Sequence, residues 1–172
     1  MHITDFSLDF FSLEGERAIV TGGNTGLGQG FALALAKAGA DIYVPGLYAD
    51  GGETAELVRA EGRRYEELAI DITEPGAPAA AVAGCVETLG SVDMLVNAAG
   101  ISRIAFEMAH ESAKHMIAQG SGKIINIASL FAFLGGLGSP AYAATKHGIA
   151  GFTKAYADEL GAHGIQVNAI AP

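Results

Sequence analysis

The chain has 172 residues, the length of a single domain, and half of them are apolar, which excludes disorder as its main state. Ten basic against nineteen acidic side chains give a formal net charge of −9, and such a surface would repel nucleic-acid phosphates. We therefore expect no nucleic-acid partner. No apolar run has the length of a membrane span, and the first residues carry acids where a secretory signal would carry bases. A lone Cys85 excludes an internal disulfide, so we expect a cytoplasmic protein with no membrane partner.

Short apolar runs alternate along the chain with alanine-rich stretches of helical length. The apolar runs predict strands at residues 18–20, 42–44, 68–70, 94–96, 124–127 and 165–170, the first five of them buried on both faces. The stretches between them predict helices at residues 27–38, 53–61, 77–89, 104–119 and 142–160. This order predicts an α/β fold of the Rossmann type, a doubly wound parallel sheet with helices on both faces in three layers. We expect residues 1–172 to form one dinucleotide-binding domain.

A glycine-rich turn follows the first predicted strand and leads directly into the first predicted helix. Glycines at such a turn let the backbone approach a pyrophosphate, and a helix N-terminus offers it unpaired N–H groups and a partial positive charge. The spacing differs from the G-x-G-x-x-G fingerprint, and a tight turn without a ligand is the alternative. The turn predicts a cofactor site formed by Gly22, Asn24, Thr25, Gly26, Leu27 and Gly28.

Two other strand ends add candidate cofactor contacts. Asp71, after the third strand, could accept a hydrogen bond from an adenine amino group while Ile72 packs on the ring, although an ordinary strand-end acid is the alternative. The small residues Ala98 and Gly100 follow Asn97 at the end of the fourth strand. They leave room for a ribose or a nicotinamide, and a simple helix-entry turn is the alternative.

A candidate catalytic group lies in the second half of the chain. Tyr142 and Lys146 are four residues apart on a predicted helix and therefore share one face, and Ser129 follows the fifth strand. A cation beside a phenol favours its ionised form, which makes a tyrosine useful as a proton acceptor and donor. Ser129 could donate to a substrate carbonyl, and Lys146 could also bind ribose hydroxyls. An exposed helical Tyr/Lys pair is the alternative.

Together these motifs resemble the short-chain dehydrogenase/reductase family over residues 14–172. More narrowly, the segments FSLEGERAIVTGGNTGLGQGFALALAKAGADI and GSGKIINIAS resemble the branch of 2-dehydro-3-deoxy-D-gluconate and gluconate 5-dehydrogenases. The resemblance implies a cytoplasmic oxidoreductase that transfers a hydride between NAD and a secondary alcohol or ketone of a keto-sugar acid. It also implies a homotetramer or homodimer, and it assigns Tyr142, Lys146 and Pro172 to the cofactor site as well.

The chain departs from the family pattern between the fourth and fifth strands. Relatives often carry a catalytic asparagine in that helix, whereas residues 101–122 contain none, and only 28 residues separate Gly100 from Ser129. We therefore expect the active polypeptide to carry additional sequence between Arg103 and Ile104, and a substrate-covering region beyond Pro172.

A second departure concerns the choice of cofactor. Gly46 stands at the end of the second strand, where NAD-preferring relatives place an acid for the ribose hydroxyls. No lysine or arginine stands there or in the glycine turn to hold a 2′-phosphate, which favours NAD and leaves NADP open. Asp50 could reach the ribose from the following loop.

Other readings of the sequence stay open. The fold could serve a 3-oxoacyl-thioester-type carbonyl reductase, or a non-catalytic dinucleotide-binding scaffold. Residues 130–137 either line the substrate side of the cleft or belong to the core. His110 and His115 are five residues apart, a poor spacing for one metal ion, so we expect no metal site.

Overall fold

The structure is a computed structural model that describes residues 7–100 and 102–172. Its centre is a sheet of six parallel strands in the order β3-β2-β1-β4-β5-β6. The strands are β1 (Arg17–Thr21), β2 (Asp41–Gly46), β3 (Tyr65–Ala69), β4 (Met94–Asn97), β5 (Gly122–Ile127) and β6 (Ile165–Ile170). The strand order reverses between β1 and β4, which is where ligands bind in sheets of this type. The predicted Rossmann-type fold is confirmed.

Five helices connect the strands and complete three layers. They are α1 (Gly26–Ala38), α2 (Glu53–Ala60), α3 (Ala77–Leu89), α4 (Ser102–Gln119) and α5 (Pro140–Leu160). The small residues of α1 and the apolar residues of α2 pack on one face of the sheet. The other face is covered by α3, α4 and the C-terminal part of α5. In the part of the chain that the structure describes, no helix has the length and apolarity needed to cross a membrane.

The register of the strands brings the candidate site residues level with one another. Thr21 of β1 lies opposite Asn97 of β4, and Asn97 in turn lies opposite Asn126 of β5. Since all three strands run in the same direction, their carboxyl ends open on the same edge of the sheet. The turns that follow β1, β4 and β5 therefore meet there.

The third strand differs from the prediction in both position and burial. It begins at Tyr65 rather than at residue 68, and among its five residues only Tyr65 is buried while Leu68 is partly buried. The reason is its place at the edge of the sheet, where Glu66 and Glu67 replace the apolar residues of a central strand. The expectation that residues 68–70 form a strand buried on both faces is therefore wrong.

Candidate active site

The glycine-rich turn between β1 and α1 is closely packed. Gly22 adopts a left-handed conformation with φ of 64°, and its N–H donates to the Pro45 carbonyl at 3.2 Å. A Cβ atom on Gly28 would lie only 2.2 Å from the Gly22 carbonyl oxygen, so this position requires glycine. The N-terminus of α1 begins within this turn, at Gly26, and its first N–H groups are directed toward the turn.

A cleft of about 470 Å³ opens beside this turn. It is lined by Gly22, Asn24, Thr25, Gly26, Leu27, Gly28, Gly46, Leu47, Tyr48, Ala98, Ala99 and Gly100. All six residues predicted from the turn line it, and so do Ala98 and Gly100. Leu47 and Tyr48, which sequence reasoning did not single out, are largely exposed at its rim.

Thr21 joins the two turns that form the floor of the cleft. Its Oγ1 accepts hydrogen bonds from the backbone N–H groups of Ala98 and Ala99, each at 3.1 Å. Because the hydroxyl is buried, these bonds hold the turn after β4 against the glycine turn after β1. The sequence carried a signal for this role, since a threonine ends an otherwise apolar strand.

The adjoining pocket contains the residues predicted to bind adenine. A space of about 270 Å³ is lined by Asp71, Ile72 and Thr73 together with residues of the β2 end. Asp71 Oδ1 accepts from the Thr73 hydroxyl at 2.7 Å and from the Thr73 N–H at 2.9 Å. These two hydrogen bonds hold the pKa of Asp71 below its ordinary value, so the group is a carboxylate at neutral pH.

Asp50 does not take the place suggested for it near the ribose. Its Oδ1 accepts from the Gly52 N–H at 2.8 Å, and its Oδ2 accepts from both the N–H and the hydroxyl of Thr54. The hydrogen bond from the Thr54 hydroxyl is the main cause that lowers the pKa of Asp50. The carboxylate therefore caps the start of α2 and does not line the cleft.

Ser129, Tyr142 and Lys146 lie together at the carboxyl end of β5. Ser129 Oγ accepts from the Phe131 N–H at 3.3 Å, and the Phe131 ring meets the Tyr142 ring edge-on with centroids 5.8 Å apart. Lys146 Nζ stands 5.5 Å from the centre of the Tyr142 ring and donates to the Ile127 carbonyl at 2.6 Å. Tyr142 thus contacts both Lys146 and Phe131, and all three predicted side chains lie near the end of β5.

Tyr142 and Lys146 differ in their exposure to solvent. Tyr142 is about half exposed, whereas Lys146 is 7% exposed. No carboxylate among residues 7–100 and 102–172 pairs with the Lys146 ammonium, which has one hydrogen bond and two further donors. A buried cation is therefore held beside an accessible phenol by the end of β5.

The side chain of Asn97 points into the protein. The Asn97 amide donates to the Ala105 carbonyl at 3.1 Å and to Asn126 Oδ1 at 2.9 Å. Asn126 Nδ2 donates in turn to Thr153 Oγ1 at 3.0 Å. This buried chain joins β4, β5, α4 and α5, so the Asn97 side chain is not available to a ligand in the cleft. Asn126 and Thr153 were missed, although an asparagine within the apolar run 124–127 was a signal.

Two further expectations concern the outer parts of the site. Pro172, which follows β6, is exposed and is not among the residues that line the cleft. Leu130, Phe133, Leu134 and Leu137 are all more than half exposed. The alternative that residues 130–137 belong to the core is therefore wrong for these four side chains, and their role at the substrate side stays a prediction.

The fold and the glycine turn define an α/β protein of the Rossmann type, and comparison with known proteins specifies the family. The model of the short chain dehydrogenase family matches residues 16–106 and 104–172. The chain belongs to this family of oxidoreductases, as the resemblance of its motifs implied. The family uses nicotinamide cofactors and acts on small molecules.

Individual relatives cover nearly all of this chain. The oxidoreductase YgcW of Escherichia coli (strain K12), described as uncharacterized, is 54% identical over 188 residues, which span 97% of this chain and 72% of YgcW. The 2-dehydro-3-deoxy-D-gluconate 5-dehydrogenase of Bacillus subtilis (strain 168) is 43% identical over 185 residues, which span 95% of this chain and 72% of the enzyme. The narrower resemblance to this branch is therefore confirmed.

Two solved structures show the same fold with a bound cofactor. One, from Agrobacterium tumefaciens, is described as a candidate 2-deoxy-D-gluconate 3-dehydrogenase with bound NADP, and it is 40% identical with a TM-score of 0.83. The other is carveol dehydrogenase from Mycobacterium avium in complex with NAD, 28% identical with a TM-score of 0.84. The match with the Agrobacterium tumefaciens structure covers 94% of this chain and 72% of that chain. The match with carveol dehydrogenase covers 93% of this chain and 71% of that chain. Similar structures thus bind either dinucleotide.

The alignment with YgcW also bears on the short connection between β4 and β5. It spans 188 positions, whereas 97% of this 172-residue chain is about 167 residues, so about 20 positions of the alignment have no residue of this chain. The two segments of the family match meet at residues 104–106, near the start of α4.

Proposed function

We propose that the protein is an NAD-dependent dehydrogenase that interconverts a secondary alcohol and a ketone of a keto-sugar acid, such as 2-dehydro-3-deoxy-D-gluconate or gluconate. The observation that carries the proposal is the placement of Ser129, Tyr142 and Lys146 at the end of β5, on the edge of the sheet where the glycine-lined cleft opens. The substrate class rests on the names of relatives that are 43% identical over most of this chain.

The residues around the cleft fit a nicotinamide dinucleotide. Gly22 and Gly28 leave backbone where side chains would block a pyrophosphate, and α1 directs its N-terminal N–H groups and its partial positive charge to the same place. Ile72 and Asp71 offer an apolar contact and a carboxylate to an adenine. When bound, such a cofactor accepts or supplies the hydride of the reaction.

The chain's own residues then handle the proton and the substrate oxygen. In the direction of ketone reduction, Ser129 Oγ donates a hydrogen bond to the carbonyl oxygen and Tyr142 gives its phenolic proton to that oxygen. In the direction of alcohol oxidation, Tyr142 accepts the hydroxyl proton. The Lys146 ammonium stabilises the charge that forms on the phenol oxygen, and its remaining donors hold ribose hydroxyls.

One observation favours a second candidate, a dinucleotide-binding scaffold without turnover. About 20 positions of the YgcW alignment have no counterpart in this chain, and residues 101–122 contain no asparagine to position a proton-relay water. A thioester-ketone reductase of the same fold is a third possibility, which the sequence left open. We also propose a cytoplasmic homo-oligomer, a tetramer or a dimer, as the family resemblance implies, and light scattering on the purified protein tests the assembly.

A single assay separates the three functions. Absorbance of the reduced nicotinamide is followed with gluconate and 2-dehydro-3-deoxy-D-gluconate plus NAD, with glucose as the control that lacks the carboxylate. An acetoacetyl thioester plus NADPH is tested in parallel. Turnover of a sugar acid but not of glucose supports the proposal, and turnover of the thioester alone supports the reductase. Binding of NADH without any turnover supports the scaffold.

A further inference from the structure

The two edge strands of the sheet differ in how their outer sides are protected. β3 carries Glu66 and Glu67, and charged side chains on an edge strand discourage the addition of another strand. β6 has the sequence IQVNAI, with no charged residue and no proline. Within residues 7–100 and 102–172, no strand pairs with the outer side of β6. An unprotected edge of this kind can accept a further strand.

The hydrogen bonds to β5 determine which backbone groups of β6 face outward. The Ile170 carbonyl accepts from the Ala128 N–H, on the β5 side, at 2.8 Å. Successive residues of a strand direct their backbone groups to opposite sides, so the N–H and C=O groups of Ile165, Val167 and Ala169 face away from β5. Three alternate residues with outward backbone groups match the hydrogen-bonded positions of an antiparallel strand pair.

The side chains of β6 divide between the two faces of the sheet. Val167 is buried in the core beneath α5, whereas Gln166, Asn168 and Ile170 are exposed on the opposite face. These three residues line a groove of about 310 Å³ together with Lys123 and its neighbours in β5. None of the described residues that line the groove carries a carboxylate, although the chain has 19 acidic residues. Two copies with a net charge of −9 can therefore meet here without bringing carboxylates together.

We propose that β6 pairs with β6 of a second copy of this chain, antiparallel about a two-fold axis at Val167, so that the two sheets become one. This inference rests on the homo-oligomer of the proposed function and supplies an interface for it. With Val167 on the axis, Ile165 lies opposite Ala169 of the second copy, and Gln166 lies opposite Asn168. The same surface then serves both copies, as a two-fold interface requires.

The side chains that this register places opposite each other are complementary. Gln166 Nε2 donates to the Gly164 carbonyl at 2.8 Å, so the Gln166 oxygen and its second N–H remain for a partner. Asn168 is exposed, and its amide can both donate and accept. Residues directly opposite in an antiparallel pair have Cβ atoms about 4.5–5.5 Å apart, within reach of two amides. The two-fold axis repeats this Gln/Asn pair, so the interface contains it twice.

Charge substitutions at the two amide positions test the pairing and its register. The like-charge variant, Gln166→Glu with Asn168→Glu, places two negative charges opposite each other in both pairs. The opposite-charge variant, Gln166→Lys with Asn168→Glu, places a positive charge opposite a negative one. The control, Ala80→Glu with Ala83→Glu, adds the same negative charge at exposed positions of α3, which packs on β1, β2 and β3. Sedimentation equilibrium gives the assembly state and the dissociation constant of each protein.

The wild type is expected to associate through β6. The like-charge variant should raise the dissociation constant at least about tenfold, because like charges directly opposite in a strand pair repel. The opposite-charge variant and the α3 control should stay within about threefold of the wild type. If the like-charge and opposite-charge variants weaken association equally, or if neither weakens it, β6 is not the interface.

Amide hydrogen exchange, followed by NMR, tests the pairing in the wild type and needs no folded variant. The N–H groups of Val167 and Ala169 should exchange slowly in the dimer and rapidly once dilution gives monomers, whereas the Asn168 N–H faces β5 and should stay protected in both. Exchange at Val167 that does not depend on protein concentration would overturn the pairing. A monomeric wild type would overturn both the homo-oligomer and this interface, and the turnover assay would still decide the dehydrogenase activity independently.

Discussion

Two glycines of α1 allow a sharp test of the cofactor turn. Gly28 is buried, and a Cβ atom there would meet the Gly22 carbonyl oxygen at 2.2 Å, whereas a Cβ atom on the exposed Gly30 would meet nothing within 4 Å. Both residues belong to the same helix. Gly28→Ala and Gly30→Ala therefore introduce the same methyl group with the same gain in helix propensity, and they differ in what the methyl group touches.

The magnitude follows from these contacts. Alanine in place of glycine stabilises a helix by about 0.8–1.0 kcal/mol, and Gly30→Ala should raise the free energy of unfolding by about that amount. At position 28 the turn must move by about 1 Å to bring the 2.2 Å contact to an ordinary distance, and such overpacking costs about 1–3 kcal/mol. The free energy of unfolding should therefore be lower in Gly28→Ala than in Gly30→Ala by about 1–3 kcal/mol.

The same displacement should impair the site. A shift of about 1 Å in a positioning element can cost about 10²-fold in rate, so kcat/KM of Gly28→Ala should fall by that order and NADH should bind more weakly. Urea unfolding, NADH titration and initial rates are measured for both variants. If Gly28→Ala is stabilised as Gly30→Ala is and binds NADH as the wild type does, the close packing of the turn and its role in binding are refuted.

Three other changes have definite expected outcomes. Tyr142→Phe should lower kcat about 10²–10⁴-fold with NADH binding retained. The control Tyr156→Phe, on the same helix, should leave kcat unchanged. A Tyr142→Phe variant with normal turnover would contradict the mechanism. Asn126→Ala should lower the free energy of unfolding, measured in urea, by about 1–3 kcal/mol, whereas Asn168→Ala should lower it much less because the Asn168 side chain on β6 is exposed. Because folding lowers the pKa of Asp50, its carboxylate stabilises the fold above the ordinary aspartate pKa of about 3.9 and loses this effect as the pH falls. The wild type should thus exceed Asp50→Asn in stability by less than about 1 kcal/mol at pH 7, and the difference should vanish near about pH 2.

The parts of the fold that sequence could predict are those with a strong local pattern. Apolar strands alternating with alanine-rich helices predict a parallel sheet, and the turn from Thr21 to Gly28 stands where such a sheet binds a dinucleotide. The observed α3 and β6 have the predicted bounds, because Gly76 and Gly90 flank α3 and Gly164 precedes β6. The six predicted turn residues lie within one short segment of the chain, residues 22–28, and all of them line the cleft.

The rest depends on contacts between distant residues. Which strands become edges is decided by the topology, and the edge strand β3 lacks the apolar pattern that marks the other edge strand, β6, in the sequence. The side chain of Asn97 has its partners in Asn126 and Ala105, and Asn24 has one of its partners in Glu67. None of these pairings has a signature in spacing, because residues far apart in the chain meet only after the sheet has formed.

The buried amides of Asn97 and Asn126 hold the candidate site together although the connection between β4 and β5 is short. Helix α4 has 18 residues, or about 27 Å, which suffices to return along strands of four to six residues. Its first turns are held by Asn97, which donates to Ala105, and by Arg103, which donates to the Thr73 carbonyl at 2.7 Å. Since Asn97 also holds Asn126, which donates to Thr153 on the helix of Tyr142 and Lys146, the turn after β4 and this helix are fixed to the same strands. A site held by strands and helices keeps its geometry when a connecting segment is shortened, because that geometry does not depend on the loop.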